Sequence, residues 1–241
     1  MLHKNIDRTQ NGSQLMSSNK NTNRFRTSFE WGLVLVTVSL CAIMIWGFAQ
    51  KIKINLKSYR IPSPVKLDIP KLLVMGKKYH ILCGKMSDPV VVVEFADYQC
   101  PPCGYAFQTM PNILAKCSKK VCVLFRNFPL TAIHPHAYSA ACAAEAAYEQ
   151  GKFKAMHDYL YKNQTNLCRS SYIDEATKLN LNIANFKKAL GTSAEKIVNR
   201  DMVDAKTLGI PGTPTFIVCL QNGQIWQLQN LSQLPDFCNR G

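Results

Sequence analysis

The chain has 241 residues, 47% hydrophobic and 18% charged, enough to bury one core and too apolar for wholesale disorder. Its formal net charge is +14, but the lysines and arginines are scattered, with no dense basic block and no aromatic RNA-binding signature, so nucleic acid is not an expected partner. Ten cysteines are many for a reducing cytosol and narrow the classes to an oxidising compartment, a metal protein or a redox enzyme.

Residues 1–30 are rich in Asn, Ser, Thr and Gln and read as a disordered tail, expected on the cytoplasmic side. From Trp31 to Ala49 there is no charged residue. At ~1.5 Å rise per residue this stretch spans roughly 29 Å, close to the hydrocarbon thickness of a bilayer. Trp31 and Trp46 stand near its two ends, where aromatic rings favour the interface. The small residues Gly47 and Ala49 leave a cleaved signal peptide as the competing reading; the long preceding segment and the full apolar run favour an uncleaved single-pass anchor. Basic residues flank the span on both sides, so charge alone barely orients it. Residues 50–78 are basic, carry Pro62, Pro64 and Pro70, and read as a spacer that lifts a folded domain, residues 79–241, off the membrane.

Val90 to Ala96 is a β-branched run without polar alternation, predicting a strand covered on both faces. Cys100-Pro101-Pro102-Cys103 follows directly, then Tyr105, Phe107, Met110, Ile113 and Leu114 at helical spacing. Val121–Phe125 reads as a second buried strand. Residues 131–208 read as a helical block, with helices over Ala137–Gln150, Lys152–Asn163, Ser171–Leu179, Ile183–Leu190 and Ala194–Leu208. Strands return at Thr215–Cys219 and Ile225–Leu228 around an Asn222-Gly223 turn, with a short helix after Ser232. The order predicts an α/β sheet with a helical insertion.

Two cysteines separated by two residues at a helix start can close a small disulfide ring, and the helix N-terminus stabilises the first as a thiolate. Pro101 and Pro102 suit the first turn, where a missing N–H costs little. A stabilised Cys100 thiolate is a better leaving group, which makes the disulfide more oxidising. Two other readings stand beside this: half of a zinc site, or a merely stabilising disulfide. Cys117 and Cys122 have poor spacing for the rest of a zinc site. A ring this short constrains little chain.

The stretches Val93–Cys103, Phe125-Arg126-Asn127-Phe128-Pro129-Leu130, Gly151-Lys152-Phe153 with Met156-His157-Asp158, and Gly209–Phe216 closely resemble the DsbA family of bacterial thiol–disulfide oxidoreductases, in its membrane-anchored or Gram-positive-type branch. The resemblance covers roughly residues 79–235. It implies a thioredoxin fold with an inserted helical subdomain, here preceded by one N-terminal transmembrane helix. It implies that Cys100 is the nucleophile, that Cys103 is the resolving thiol, and that Thr213–Pro214 is a cis peptide facing them. It implies exported protein thiols or disulfides as substrates and a membrane redox partner, a quinone-linked oxidase. The catalytic domain would then stand on the periplasmic or extracellular side of the cytoplasmic membrane. Nothing in the residues calls for a metal or an organic cofactor. A reductase or isomerase of the same fold, or a redox-inactive assembly module of a cell-envelope complex, remain as alternatives.

Glu94 is an acid inside an apolar strand, so its pKa is expected to rise and it is placed to move protons to or from Cys103; the rival reading is a salt bridge with a lysine. Asp97 reads as a loop residue that shapes the turn. His134 and His136 read as a surface turn rather than a substrate contact. Pro102 stands where the family's strongest oxidases carry His, which predicts a less extreme oxidant, and Lys154 stands where relatives place an aromatic residue. Cys117–Cys122 and Cys142–Cys168 are candidate structural disulfides, with buried free thiols as the alternative for Cys142 and Cys219. Cys41 reads as apolar filler in the span.

Overall fold

A computed structural model describes residues 39–47, 62–76 and 80–239, and the chain divides into two compact units between Arg60 and Ile61. In the first unit, residues 39–47 are helical with exposed side chains. The tail at 1–30 and the rest of the expected anchor at 31–49 lie outside the described residues. Among the described residues no helix is long and apolar enough to cross a membrane.

The second unit is built on a sheet centred on β3 (Val90–Ala96), with all seven residues buried. Val90 and Val92 pack with Ala106 and Met110 of α2 (Pro101–Leu114) and with Leu234 and Phe237 of α8 (Leu234–Asn239). Val91, Val93 and Phe95 pack into a second apolar cluster with Val74, Ala205 and Ile210. Each buried valine is worth roughly 1.5–3 kcal/mol of transfer free energy. The side chains do alternate with period two, but both faces are dry, so the sequence shows a continuous apolar run.

β4 (Val121–Asn127) pairs parallel with β3, from Val90↔Val121 to Ala96↔Asn127, with α2 as the crossover. On the other side β5 (Thr215–Leu220) pairs antiparallel with β3, and β6 (Ile225–Leu228) continues from it through a hairpin whose Gly223 has φ +82°. That left-handed backbone is open to glycine at no steric cost. β1 (Val65–Leu67) and β2 (His80–Cys83) form the edges, giving the order β1-β6-β5-β3-β4-β2.

Between β4 and β5 run α3 (Ala137–Tyr148), α4 (Phe153–Lys162), α5 (Arg169–Lys178), α6 (Ile183–Leu190) and α7 (Ser193–Thr207). Six alanines of α3, from Ala140 to Ala147, are buried, and these small side chains let α4, α6 and α7 approach it closely. A buried polar network joins this layer to the sheet. Glu145 of α3 lies 2.7 Å from His80 Nε2 and accepts from Asn127 Nδ2 at 2.6 Å. Arg126, fully buried, donates to Asp201 and Asp204 of α7 and to the carbonyls of Leu73 and Val74 in α1 (Lys71–Met75). A charge this deep is tolerated only because each of its donors finds a partner.

Two expectations need correction. The spacer expected at 50–78 is not a spacer over 62–76: β1 adds to the sheet edge beside β6, and α1 brings Val74 into the core. Three prolines suggested extended chain, but Pro70 stands just before α1, where a missing N–H costs nothing. Every cysteine of the described residues is a free thiol in this structure, Cys100, Cys103, Cys117 and Cys238 included, so neither candidate pairing, Cys117–Cys122 or Cys142–Cys168, is formed in it. On β4, Val121 and Val123 face the α2 cluster and Cys122 faces the opposite one, whereas Cys117 packs on the α2 side, so the sheet stands between the two sulfurs. Cys142 is buried, while Cys168 is exposed with its Sγ 3.1 Å from Ser170 Oγ.

Candidate active site

Strand β3 runs out at Ala96, and a four-residue turn delivers Cys100 as the N-cap of α2, with extended backbone at φ −71°, ψ 118°. Pro101 and Pro102 occupy the first two helical positions. The amides of Cys103 and Gly104 both donate to the Cys100 carbonyl at 3.1 Å, which closes the turn. Cys100 is 4% exposed and Cys103 is wholly buried, so of the two only Cys100 has any contact with solvent. Antiparallel pairing of β5 with β3, down to Phe95↔Thr215, carries Thr213 to the same end of the sheet. The Thr213–Pro214 bond is cis, as the resemblance implied, and the Cys100 thiol donates to the Thr213 carbonyl at 3.2 Å.

The two sulfurs are electrostatically unequal. A hydrogen bond from the Cys103 thiol is the largest influence on Cys100 and draws it down to about 6 from the usual 9.0, against the opposing effect of burial. Thr213 and the Cys103 amide add to the lowering. The Thr213 hydroxyl has no other partner and is available to the thiolate. With prolines at 101 and 102, the Cys103 N–H is the first amide donor the helix offers. Cys103 is raised, by burial first and then by its bond to Cys100, and stays a thiol. Of the two, Cys100 therefore has the character of a nucleophile and leaving group, and Cys103 that of a protonated thiol.

Glu94 lies on the same side of β3 as Val92, beneath α2. It is 3% exposed and its Oε1 has no hydrogen-bond partner. Burial, then the charge of Cys100, pushes it up to about 8 from 4.5. Among the described residues it forms no ion pair; Lys154 spends its charge on Asp158 at 2.8 Å. Glu94 and Lys154 both line a 260 Å³ cavity whose walls include Phe107, Met110 and Leu114 of α2. The cavity touches Glu94 and neither cysteine of the pair. Beside it, burial drops His157 to about 3, leaving a neutral ring 3.1 Å from the Tyr98 hydroxyl.

Two supports of the turn carried little sequence signal. Gln164, in a 3₁₀ turn of the helical layer, donates through Nε2 to the carbonyls of Tyr98 (2.9 Å) and Cys100 (3.0 Å). Its carboxamide fits there because residue 104 is glycine; a Cβ at that position would collide with it. Gly104 is the only hint in the sequence, since an isolated Gln points to nothing. Asp97 does shape the turn: its carboxylate accepts from Gln99 N (2.7 Å) and Leu130 N (2.8 Å) and pairs with His134 Nδ1 (2.7 Å). His134 thus sits in a turn and anchors it to the active-site loop. Among the described residues no group of three or more His, Cys, Asp or Glu is placed to hold a metal ion.

The thioredoxin family matches residues 77–235. Among curated proteins, the chain is 39% identical over 137 residues to Na⁺/H⁺ antiporter NhaA 3 of Salinispora tropica, covering 56% of this chain and 21% of that protein. It is 34% identical over 160 residues to Na⁺/H⁺ antiporter NhaA 1 of a Mycobacterium species, covering 65% of this chain and 26% of the other. The chain therefore matches about a quarter or less of the length of these relatives. Among solved structures, a thioredoxin-like oxidoreductase from Silicibacter pomeroyi aligns at TM-score 0.58 and 25% identity over 70% of this chain and 95% of its own. BdbD from Bacillus subtilis aligns at 0.51 and 25% over 64% and 85%. The thiol–disulfide exchange protein α-DsbA2 of Wolbachia pipientis aligns at 0.58 with 20% identity over 70% and 90%, a likeness of fold.

Proposed function

We propose, from the premise that this chain belongs to the thioredoxin family, that its second unit is a thiol–disulfide oxidoreductase acting on exported proteins at the outer face of the cytoplasmic membrane. The observation that carries this reading is the asymmetry of the pair: a Cys100 thiol held at about 6 and reaching solvent, in front of a buried Cys103 held as a thiol. A structural disulfide has no use for such an arrangement.

In the proposed cycle a substrate thiolate attacks Cys100 Sγ, the Cys100–Cys103 bond breaks, and Cys103 leaves and takes up a proton. Glu94 at about 8 carries that proton at neutral pH, and it lies close enough for its charge to act on Cys103. The cavity behind Glu94 links it toward the Lys154–Asp158 surface, where the proton is replaced. A second substrate thiolate then attacks the substrate sulfur of the mixed disulfide and expels Cys100 as its stabilised thiolate. Thr213 offers its carbonyl beside Cys100, where an extended substrate backbone can pair with it.

The membrane setting rests on the apolar run from Trp31 to Ala49 and on the cysteine content. A quinone-linked membrane oxidase is the proposed partner that restores the disulfide. Pro102 favours a second direction, in which the same pair passes electrons to substrates, because the helix start lacks both a cation and one amide donor.

The test is the reduction potential of the Cys100–Cys103 couple in glutathione buffers. A value near or above about −150 mV assigns net oxidation, and one near about −250 mV or below assigns reduction. Failure of the pair to exchange with glutathione would remove the enzyme reading altogether.

A further inference from the structure

We propose that Cys117 and Cys238 form a second disulfide, a clasp that fastens the C-terminal helix to the far end of the helix that bears the reactive pair. Cys117 closes the turn after α2, its amide donating to the Leu114 carbonyl at 3.0 Å. Cys238 lies in α8, wholly buried. The two side chains belong to one apolar cluster, and after burial it is the neighbouring Cys117 thiol that pushes the Cys238 thiol up; the Cys117 Sγ itself points at the Ile113 carbonyl at 3.9 Å.

The neighbouring residues hold the two backbones together independently of the sulfurs. Ser118 N donates to Asn239 Oδ1 at 2.8 Å, Ser118 Oγ to the Cys238 carbonyl at 3.0 Å, and Asn239 Nδ2 to the Lys116 carbonyl at 3.2 Å. The residues immediately beside each cysteine are thus tied across the gap, which holds the two backbones side by side. Two alternatives are ruled out by distance or by the sheet. Cys122 and Cys219 both sit opposite Val91, one strand to either side, which puts their backbones roughly 10 Å apart, beyond the ~7 Å a disulfide spans. Cys122 is also on the face opposite Cys117.

The oxidant is a low-molecular-weight disulfide of the glutathione disulfide class. Cys117, the more exposed of the two, attacks it as a thiolate and expels one glutathione thiolate, which is protonated. Cys238, giving its proton to solvent, then attacks the Cys117 sulfur and expels the second glutathione. The protein loses two electrons and two protons, and the oxidant becomes two thiols. The new bond closes a loop of about 120 residues, and the restriction of the unfolded chain grows slowly with the length of the loop closed. It braces α2 from behind, at the end opposite Cys100. Such a bond persists in an oxidising compartment, so it bears on where the domain works by a route separate from the chemistry of Cys100.

The test uses the full chain in detergent, reduced and then equilibrated against a series of glutathione–glutathione disulfide ratios, with free thiols alkylated and the digest mapped. The expected result is a Cys117–Cys238 cross-linked peptide at ratios at least a hundredfold more reducing than those that oxidise Cys100–Cys103. Cys238→Ala should then lower Tm by about 5 °C or more in the oxidised protein and by much less in the reduced one. Its rate of exchange at Cys100 should stay within twofold of the parent. Recovery of Cys117 and Cys238 as alkylated thiols from protein whose Cys100–Cys103 pair is oxidised overturns the proposal, as does Cys117 linked to any other cysteine. The same digest reports the Cys100–Cys103 pair separately, so loss of the clasp and loss of the enzyme reading cannot be confused.

Discussion

Replacing Glu94 with glutamine should stabilise the domain at neutral pH, by an amount that changes with pH in a defined direction. Burial holds this carboxyl at about 8 in the fold against 4.5 in the unfolded chain. Between those values the folded state binds more protons than the unfolded one, so stability falls as pH rises through this window. Each pH unit between the two values costs about 1.4 kcal/mol. The full difference is about 5 kcal/mol above pH 8, and about 3 kcal/mol at pH 7, where the folded carboxyl is still mostly protonated. Below pH 4.5 the cost is absent. Glutamine keeps the shape and does not titrate, so the gap between Glu94→Gln and the parent should open from near its pH 4.5 value by about 3 kcal/mol at pH 7. Any fixed penalty from leaving the new amide unpartnered shifts the whole curve without changing its slope. Urea denaturation of both proteins in reductant at pH 4.5, 7 and 8.5 measures this. A gap that is constant across that range, or one that narrows with pH, would refute a buried, proton-bearing Glu94.

Three further outcomes follow from the same geometry. Attack by reduced Cys100 on a small disulfide should accelerate as pH rises through 6 and level off near 7, as the thiolate fills; a rate still climbing tenfold per unit above pH 7.5 would count against a stabilised thiolate. Gln164→Leu frees the carbonyls of Tyr98 and Cys100 beside the sulfur, so the thiolate absorbance of Cys100 should titrate about one unit higher, with a reduction potential about 30 mV lower. Unchanged titration would make Gln164 a packing residue only. Arg126→Met leaves Asp201 and Asp204 without their guanidinium and should cost about 3–5 kcal/mol in urea unfolding, whereas a loss under 1 kcal/mol would mean that the network is solvated.

Much of this protein was legible in the chain itself. β3, β6 and α6 run over the predicted residues, because a dry β-branched run, an Asn-Gly turn and an apolar helical period are local signals. The Cys100–Cys103 spacing after a strand located the chemistry, since the geometry of a helix start follows from neighbouring residues. The fate of the other cysteines was not legible. Whether Cys117 meets Cys122 or Cys238 depends on which face of the sheet each occupies, and Cys238 comes from the other end of the domain. The edge strand Val65–Leu67 was hidden for a similar reason: three residues beside prolines carry no period, and only their pairing with β6 makes them a strand. Gln164 and the Arg126–Asp201 network likewise rest on contacts more than 60 residues apart. Sequence determined what could be done at Cys100, because pattern and spacing are local. The tertiary structure decided what holds the turn that carries it, through the reach of Gln164 and the pairing of Asp97 with His134, because those depend on how distant segments meet.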